Sequence, residues 1–245
     1  MIGDIRAATG YGIRQICASL QAPRSSFYHA ASPTATQSED RRIMRQRGLR
    51  AIQPKTYVPK TSDGRADKPS PNLLLGQPLP ARPDQVWAGD ITFIPTSAGW
   101  LYLAVVIDLC SRKIVGWSLG NHLRADLVSD ALKQALGSRR TLPGLLFHSD
   151  RGSQYGSGTF RALLRAAGIR QSMSARANPY HNAWTESFIG TLKTELLQDG
   201  SFIAHADARI ELFAYIEAYY HTHRKHSSLG YKTPAAFEAH IHSIN

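Results

Sequence analysis

The stretch "VWAGDITFIPTSAGWLYLAVVIDLCSRKIVGWSL", residues 86–119, predicts three consecutive β-strands. Its first part, "VWAGDITFIP", alternates as a half-buried strand does, whereas "WLYLAVVIDL" is apolar on both faces and predicts a buried strand. A third strand, "RKIVGWSL", follows after the short turn "CSR". Because strands joined by such short connections pair in opposite directions, the stretch predicts an antiparallel meander.

Helices and strands alternate after this meander. The order of the segments predicts an α/β fold, in which a mixed sheet is flanked by helices. In chain order the segments are an amphipathic helix at 124–137, a strand at 144–150, a helix at 157–168, a short strand at 169–174, a helix at 182–198 and a helix at about 205–223.

The chain is strongly basic, with 29 Lys and Arg against 18 Asp and Glu and a net charge of +11. This balance favours a polyanionic partner, either nucleic acid or an anionic membrane surface. The longest strongly apolar run, "LYLAVVI", is too short to span a bilayer, and we expect no membrane association. Two cysteines predict no disulfide framework, and the start has no signal-peptide pattern, so we expect a cytoplasmic protein.

The sequence divides into three predicted regions. Residues 1–31 predict two small helices around a turn, with Arg24 near the start of the second, which is the outline of a DNA-binding helix-turn-helix. Residues 32–79 are rich in Pro, Ser, Lys and Arg and predict a basic linker. Residues 80–245 predict the folded core. The first 82 residues hold 13 basic and 5 acidic side chains, so most of the net charge precedes that core.

Three carboxylates fall on different elements of the predicted core. Asp90 lies in the middle of a strand, Asp150 ends the fourth strand, and Glu186 lies on a late helix. Ligands of open α/β sheets bind at the ends of strands, and charged side chains within strands are rare unless they are paired or bind a metal. Together the three predict an oxygen-rich site for Mg²⁺ or Mn²⁺, and two such ions can promote phosphoryl transfer.

The spacing of these carboxylates, with 35 residues between Asp150 and Glu186, resembles the D,D-35-E signature of insertion-sequence transposases and retroviral integrases. From about Pro80 to Glu238 the chain is similar to the integrase-core reading frame of bacterial insertion sequences. The resemblance implies an RNase H-like fold, metal ligation and catalysis by the three carboxylates, and a homo-oligomer that acts on element ends and target DNA. The sequence segments on which the resemblance rests include "VWAGDITFIPT", "HSDRGSQY", "NPYHNAWTESFIGTLKTEL" and "YHTHRKHSSLGYKTPAAFE".

The resemblance also implies DNA-contacting residues. Lys193 lies two turns beyond Glu186 and matches the lysine of the family that contacts DNA near the cut end. Arg151 and Gln154 are candidates to orient a phosphate, with solvent-facing loop residues as an equal alternative.

Several polar and aromatic residues have structural interpretations. Asp108 is predicted to cap the turn before "SRK", and Trp87, Trp100 and Trp117 to pack in the core. His221, His223 and His226 could form a zinc cluster. However, they lie in a polar motif that resembles one of the family, and this favours packing or a position near DNA.

The chain departs from the family pattern near its start, where it keeps only the tail of a second helical segment. We therefore expect that an upstream helix-turn-helix protein could supply DNA-binding helices. The intact carboxylates favour a DDE transposase that uses water and then a 3′-hydroxyl as nucleophiles. The alternatives are a catalytically idle DNA-binding remnant that represses or assists a full-length transposase, and a nonspecific RNase H-like nuclease.

Overall fold

The computed structural model describes residues 69–141, 143–174, 183–197 and 201–244. All of them belong to one compact unit, which covers residues 60–245. Its centre is a five-stranded sheet with the spatial order β3-β2-β1-β4-β5. The strands are β1 (Val86–Thr96), β2 (Gly99–Asp108), β3 (Ile114–Gly120), β4 (Leu146–Ser149) and β5 (Arg170–Met173).

The pairing of the strands confirms the predicted meander and the mixed sheet. β1 pairs antiparallel with β2, and β2 pairs antiparallel with β3. β4 lies on the other side of β1 and pairs with it in parallel, and β5 is parallel to β4. β1 is therefore the central strand and has a hydrogen-bonded neighbour on each side.

Helices cover both faces of the sheet. Two of them, which were predicted as single long helices, continue into π-helical segments at Lys193–Leu197 and Ala214–Tyr220. A four-residue helix and the last helix were not predicted. The α-helices are α1 (Ala125–Ser138), α2 (Ser153–Gly156), α3 (Gly158–Ala166), α4 (Ala183–Leu192), α5 (His205–Phe213) and α6 (Pro234–Ile244).

The two faces of β2 explain why its sequence is apolar at successive positions. Leu103 and Val105 pack with residues of α4 and α5 in one cluster of buried side chains. Ala104 and Val106 point the other way and pack with α1 and α3 in a second cluster. Since side chains alternate along a strand, a strand that is covered on both faces needs apolar residues throughout.

Two local features stabilise the antiparallel meander and the packing of α1 against it. A Cβ on Gly116 of β3 would lie 2.2 Å from the backbone oxygen of Ala131, so α1 packs directly on the backbone of this strand. The buried carboxylate of Asp108 accepts hydrogen bonds from the backbone N–H groups of Cys110 and Ser111 at 3.0 and 2.7 Å. It also accepts one from the backbone of Asp84 at 2.7 Å. The predicted cap at Asp108 is confirmed.

The predicted boundary between linker and core lies at the edge of the described residues. The helix-turn-helix prediction and most of the predicted linker lie outside them. Within residues 69–79, the Ser70 hydroxyl donates to Gln171 Oε1 at 2.9 Å, and the Leu73 N–H donates to the hydroxyl of Ser172 at 2.9 Å. The last part of the predicted linker is thus attached to β5. Within the described part of the chain, no helix has the length and apolar character needed to cross a bilayer.

Candidate active site

Asp90 lies at the middle of β1 and faces α4. It pairs across the sheet with Val105 of β2. Its Oδ1 accepts a hydrogen bond from the Ile91 N–H at 2.8 Å, and its side chain also hydrogen-bonds to the fully buried Thr185 of α4. Thr185 therefore attaches the first turn of the helix to the central strand, beside the carboxylate. No pattern in the sequence indicated this hydrogen bond.

Asp150 follows β4 directly, next to the end of the region where β4 pairs with β1. The last parallel pair joins Ala88 to His148, and Asp90 and Asp150 each lie two residues further along their strands. Parallel register thus brings the two carboxylates to neighbouring positions. The Gly152 N–H donates to Asp150 Oδ1 at 2.9 Å and fixes its orientation.

Glu186 is exposed on α4, one residue after Thr185. The negative charge of Glu186 contributes to a raised pKa of Asp90, which changes from 3.8 to about 7. The largest cause is burial, followed by repulsion from Asp150 and, more weakly, from Glu186. Two of the carboxylates that the sequence singled out, Asp150 and Glu186, thus raise the pKa of the third, Asp90.

The chemistry of these donors suits a hard divalent cation, because carboxylate oxygens are the ligands that Mg²⁺ and Mn²⁺ prefer. Within the described residues, no three His, Cys, Asp or Glu side chains lie together closely enough to hold a metal ion. Like charges repel, so carboxylates without a cation between them are expected to lie apart. The fit to a cation therefore rests on donor type and on the repulsion that Asp150 and Glu186 exert on Asp90.

Tyr155 lies beneath the carboxylates and was not singled out by the sequence. Its ring is buried between Phe147 and Phe160, and no described residue hydrogen-bonds to its buried hydroxyl. Burial raises the pKa of this hydroxyl, and the charges of Asp90 and Asp150 raise it further. Only a neutral, protonated Tyr155 is compatible with these surroundings.

Lys193 begins the π-helical segment after α4 and lies beside the site. Its Nζ is 3.8 Å from the centroid of the Phe93 ring on β1. Burial lowers the pKa of the Lys193 ammonium, and the negative charge of Asp90 acts in the opposite direction. The Lys193 side chain is half-buried and not fully exposed to solvent. Its ammonium lies near Asp90.

The other candidate DNA contacts already have protein partners where they are described. The Nε of Arg151 donates to the backbone oxygen of Ser174 at 2.9 Å. Gln154 donates from Nε2 to the backbone oxygen of Leu123 at 3.0 Å. Arg24 lies outside the described residues. A role of these three residues in DNA binding stays a prediction.

The three histidines do not gather around one point. His221 is buried and accepts a hydrogen bond at Nε2 from the Ile114 N–H at 3.2 Å, so it packs against β3. His223 is exposed, and His226 is half-buried against the Tyr220 ring. The packing interpretation is confirmed for His221. Among the tryptophans, Trp87 is fully buried, whereas Trp100 and Trp117 are half-buried.

Comparison with known proteins gives a consistent result. The family described as "Integrase core domain" matches residues 80–179, and a second family of the same description matches residues 167–234. The transposase for insertion sequence element IS904 of Lactococcus lactis subsp. lactis (strain IL1403) is 50% identical over 168 residues, which are 69% of this chain and 66% of that protein. Transposase InsF for insertion sequence IS3A of Escherichia coli (strain K12) is 42% identical over 195 residues, 80% of this chain and 68% of that protein.

The matched part spans about two thirds of the length of these curated relatives. Among solved structures, one chain of a cryo-EM structure of the simian T-cell lymphotropic virus intasome in complex with PP2A regulatory subunit B56 gamma has a TM-score of 0.53 and 17% identity. The similarity covers 97% of this chain and 74% of that one. It concerns the fold, and together with the strand order it confirms the predicted RNase H-like architecture.

Proposed function

The chain belongs to the insertion-sequence transposases with an integrase core domain, a family of polynucleotidyl transferases, and on that basis we propose that it cleaves and joins DNA strands in a metal-dependent reaction. The observation that supports this most directly is the parallel register of β1 and β4, which brings Asp150 to a position next to Asp90. Asp90 lies on the central strand, Asp150 follows the carboxyl end of its parallel neighbour, and Glu186 lies on a covering helix. Ligand sites of α/β sheets occur at the carboxyl ends of strands.

Asp90, Asp150 and Glu186 would hold the divalent ions, Mg²⁺ or Mn²⁺. Two such ions, when bound, activate the attacking oxygen and stabilise the leaving oxygen of a phosphoryl transfer. The Ile91 N–H and Thr185 keep the Asp90 carboxylate in place, and the Gly152 N–H does the same for Asp150. These hydrogen bonds fix the ligand oxygens before a substrate arrives, and such preorganisation lowers the cost of reaching the transition state.

Lys193 would attract and position the phosphate that reacts. Its ammonium is near Asp90 and is held on the Phe93 ring, so it has less conformational freedom than a surface lysine. A fixed cation beside the ligand oxygens favours the binding of a DNA backbone there. The first nucleophile would be water, which breaks a phosphodiester and frees a 3′-hydroxyl at the element end, while the phosphate stays on the other fragment. That hydroxyl would then attack a phosphodiester of the target strand, so that a new phosphodiester forms as the bond to the target's own 3′-oxygen breaks and leaves a 3′-hydroxyl.

The partners that follow from this proposal are the ends of an insertion element and a target duplex, bound by a homo-oligomer of the chain. Two ends must be brought together for joining, which a single core does not do. A helix-turn-helix protein from an upstream reading frame stays a prediction, as does a cytoplasmic location.

The test is cleavage and joining of duplex DNA that carries the ends of the element. Wild-type protein should nick these ends with Mg²⁺ or Mn²⁺, and Asp90→Ala, Asp150→Ala and Glu186→Ala should each lower the rate by roughly a thousandfold, since a missing ligand costs several kcal/mol of transition-state stabilisation. Asp130→Asn, an exposed change on α1, is the control and should keep full activity.

Near wild-type cleavage by any of the three variants would remove that residue from the site. Wild-type protein that binds DNA without cutting it in either metal would support the alternative, a DNA-binding remnant. Cutting without joining would indicate a nuclease.

A further inference from the structure

A cavity of about 470 Å³ lies beside the candidate active site, between α4, the turn from β2 to β3 and the segment after the Ala214–Tyr220 π-helix. We call it the basic cleft, after four of its lining residues, Arg112, Arg224, Lys225 and His226. No Asp or Glu occurs among the described residues that line it. The proposed function does not use this cleft.

Arg112 is held in the cleft at an energetic cost. Its φ of 61° is in the left-handed region, which is unfavourable for a residue with a long side chain. The guanidinium lies 5.5 Å from the centroid of the Trp184 ring, and its buried Nη1 has no hydrogen-bond partner among the residues that the structure describes. A buried donor that lacks an acceptor is unfavourable. The contact with Trp184 stabilises the fold, but the backbone strain and the unpaired donor do not, and the unpaired donor indicates that an acceptor binds here.

A second unpaired donor comes from His226. The Nη1 of Arg224 is 3.4 Å from Nδ1 of His226, and because Arg is only a donor, Nδ1 must accept. The ring is neutral, since burial and the neighbouring Arg224 and Arg112 lower its pKa to about 4. Its proton is therefore on Nε2, which is buried and finds no hydrogen-bond partner within the described part of the chain.

Arg224 is itself fixed in orientation. Its Nε donates to Glu195 Oε1 at 2.9 Å, and the Tyr215 hydroxyl donates to the other oxygen of Glu195 at 2.7 Å. Glu195 thus fixes the orientation of the Arg224 guanidinium. Lys225, which is exposed, adds a further positive charge at the rim.

We propose that the basic cleft binds a backbone phosphate of the same DNA strand that reaches Asp90 and Glu186. A phosphodiester offers two charged oxygens, so it can accept from both unpaired N–H groups and balance the excess of positive charge. The inference deepens the proposed function and rests on it for the identity of the anion.

The position of the cleft favours a DNA phosphate over a free anion. Trp184, Ser187 and Thr191 line the cleft from one flank of α4. Successive residues of a helix turn by about 100°, so Glu186 lies on the other flank, across the exposed face of the same helix. The two flanks are about one helix width apart, and one DNA strand that crosses α4 can reach both.

The experiment measures the affinity of the full chain for a short duplex of arbitrary sequence, by fluorescence anisotropy, over a range of salt concentrations in EDTA. In wild type, log affinity should fall steeply as log salt rises. The double variant Arg112→Gln/Lys225→Gln should make this slope less steep by about 0.9, and its binding should be about eightfold weaker than that of wild type at roughly 0.1 M salt. The matched control, Lys133→Gln/Arg165→Gln, removes two exposed charges from α1 and α3 on the opposite face of the sheet. Its slope should equal that of wild type.

Equal slopes for the double variant and wild type would overturn the proposal, and so would equal reductions in the double variant and the control. If the double variant does not fold, Lys225→Gln alone decides the question, because this exposed residue takes no part in the hydrogen bonds described above. It must then lower the slope more than Lys133→Gln does.

A separate measurement identifies the source of the anion. If inorganic phosphate raises the melting temperature of wild type but not of Arg112→Gln, while the DNA slopes are equal, the cleft binds free phosphate and the proposal is wrong. Because EDTA removes the metal, a protein that fails to cleave DNA can still show the reduced slope. Failure of the proposed function and failure of this inference are thus distinguishable.

Discussion

Asp90→Asn should stabilise the protein in the absence of metal while it removes a proposed metal ligand. Asn has almost the same shape as Asp and keeps the oxygen that accepts from the Ile91 N–H at 2.8 Å. It also remains able to hydrogen-bond to Thr185. The substitution removes the negative charge, which burial and repulsion from Asp150 and Glu186 make unfavourable.

The magnitude follows from the pKa of Asp90, which folding raises from 3.8 to about 7. The folded protein binds more protons than the unfolded chain between these pH values, so stability falls as pH rises through this window. Above pH 7 the full penalty is present, and at about 1.4 kcal/mol for each tenfold change in proton affinity it amounts to about 4 kcal/mol at most. Since Asp90 is partly exposed, we expect a gain of about 2–4 kcal/mol for Asp90→Asn at pH 8 and little gain at pH 4.

The assay is urea unfolding of both proteins in EDTA at several pH values, followed by the same measurement in Mg²⁺. Asp130→Asn, far from the site, should stay within about ±0.5 kcal/mol of wild type. Saturating Mg²⁺ should stabilise wild type by about 2.7 kcal/mol at 100 times its Kd and Asp90→Asn by much less. Asp90→Asn that is no more stable than wild type at pH 8 in EDTA would refute the reasoning, because repulsion among the carboxylates would then be absent.

Three further predictions concern other parts of the chain. Lys193→Met keeps the packing on Phe93 but removes the charge, so strand transfer on a pre-cut end should fall while the melting temperature changes little; equal joining would make Lys193 a packing residue. Asp108→Ala leaves several buried donors without an acceptor and should cost about 3–5 kcal/mol in urea unfolding, whereas a cost below about 1 kcal/mol would contradict the cap. Replacing the arginines of "DRRIMRQRGLR" with Gln should flatten the salt dependence of DNA binding by about 0.9 for each phosphate that is no longer neutralised, and an unchanged slope would exclude this segment from DNA binding.

The sheet was well predicted because alternation along a strand reflects burial on each face. The apolar run of β2 and the short turn at Asp108 determined an antiparallel meander, and the polar end of β4 indicated where a ligand site would lie. Parallel register then places Asp150 beside Asp90, a relation that depends on strand pairing alone. The neighbouring positions of Asp90 and Asp150 follow from topology, whereas the catalytic role of these two residues and Glu186 stays a prediction.

The side chains around the carboxylates were not predictable in the same way. Tyr155 and Thr185 act through tertiary packing, and neither belongs to a periodic pattern that would reveal its neighbour. The π-helical segment that begins at Lys193 leaves the 3.6-residue period, so a helical wheel misplaces the side chains after α4. The left-handed backbone at Arg112 also has no sequence signal, since Gly or Asn would be expected at such a position.

The central position of β1 explains how the chain tolerates an unfavourable charge at Asp90. A penalty of about 4 kcal/mol would be a large part of the roughly 5–15 kcal/mol that stabilises an ordinary domain. β1 is hydrogen-bonded to β2 along its whole length and to β4 at its start, and its flanking side chains are buried in clusters on both faces. Local opening of such a strand requires disruption of both clusters, so the repulsion cannot be relieved by fraying. A bound cation can relieve it, and for this reason the same residue that destabilises the metal-free protein is suited to bind the ion.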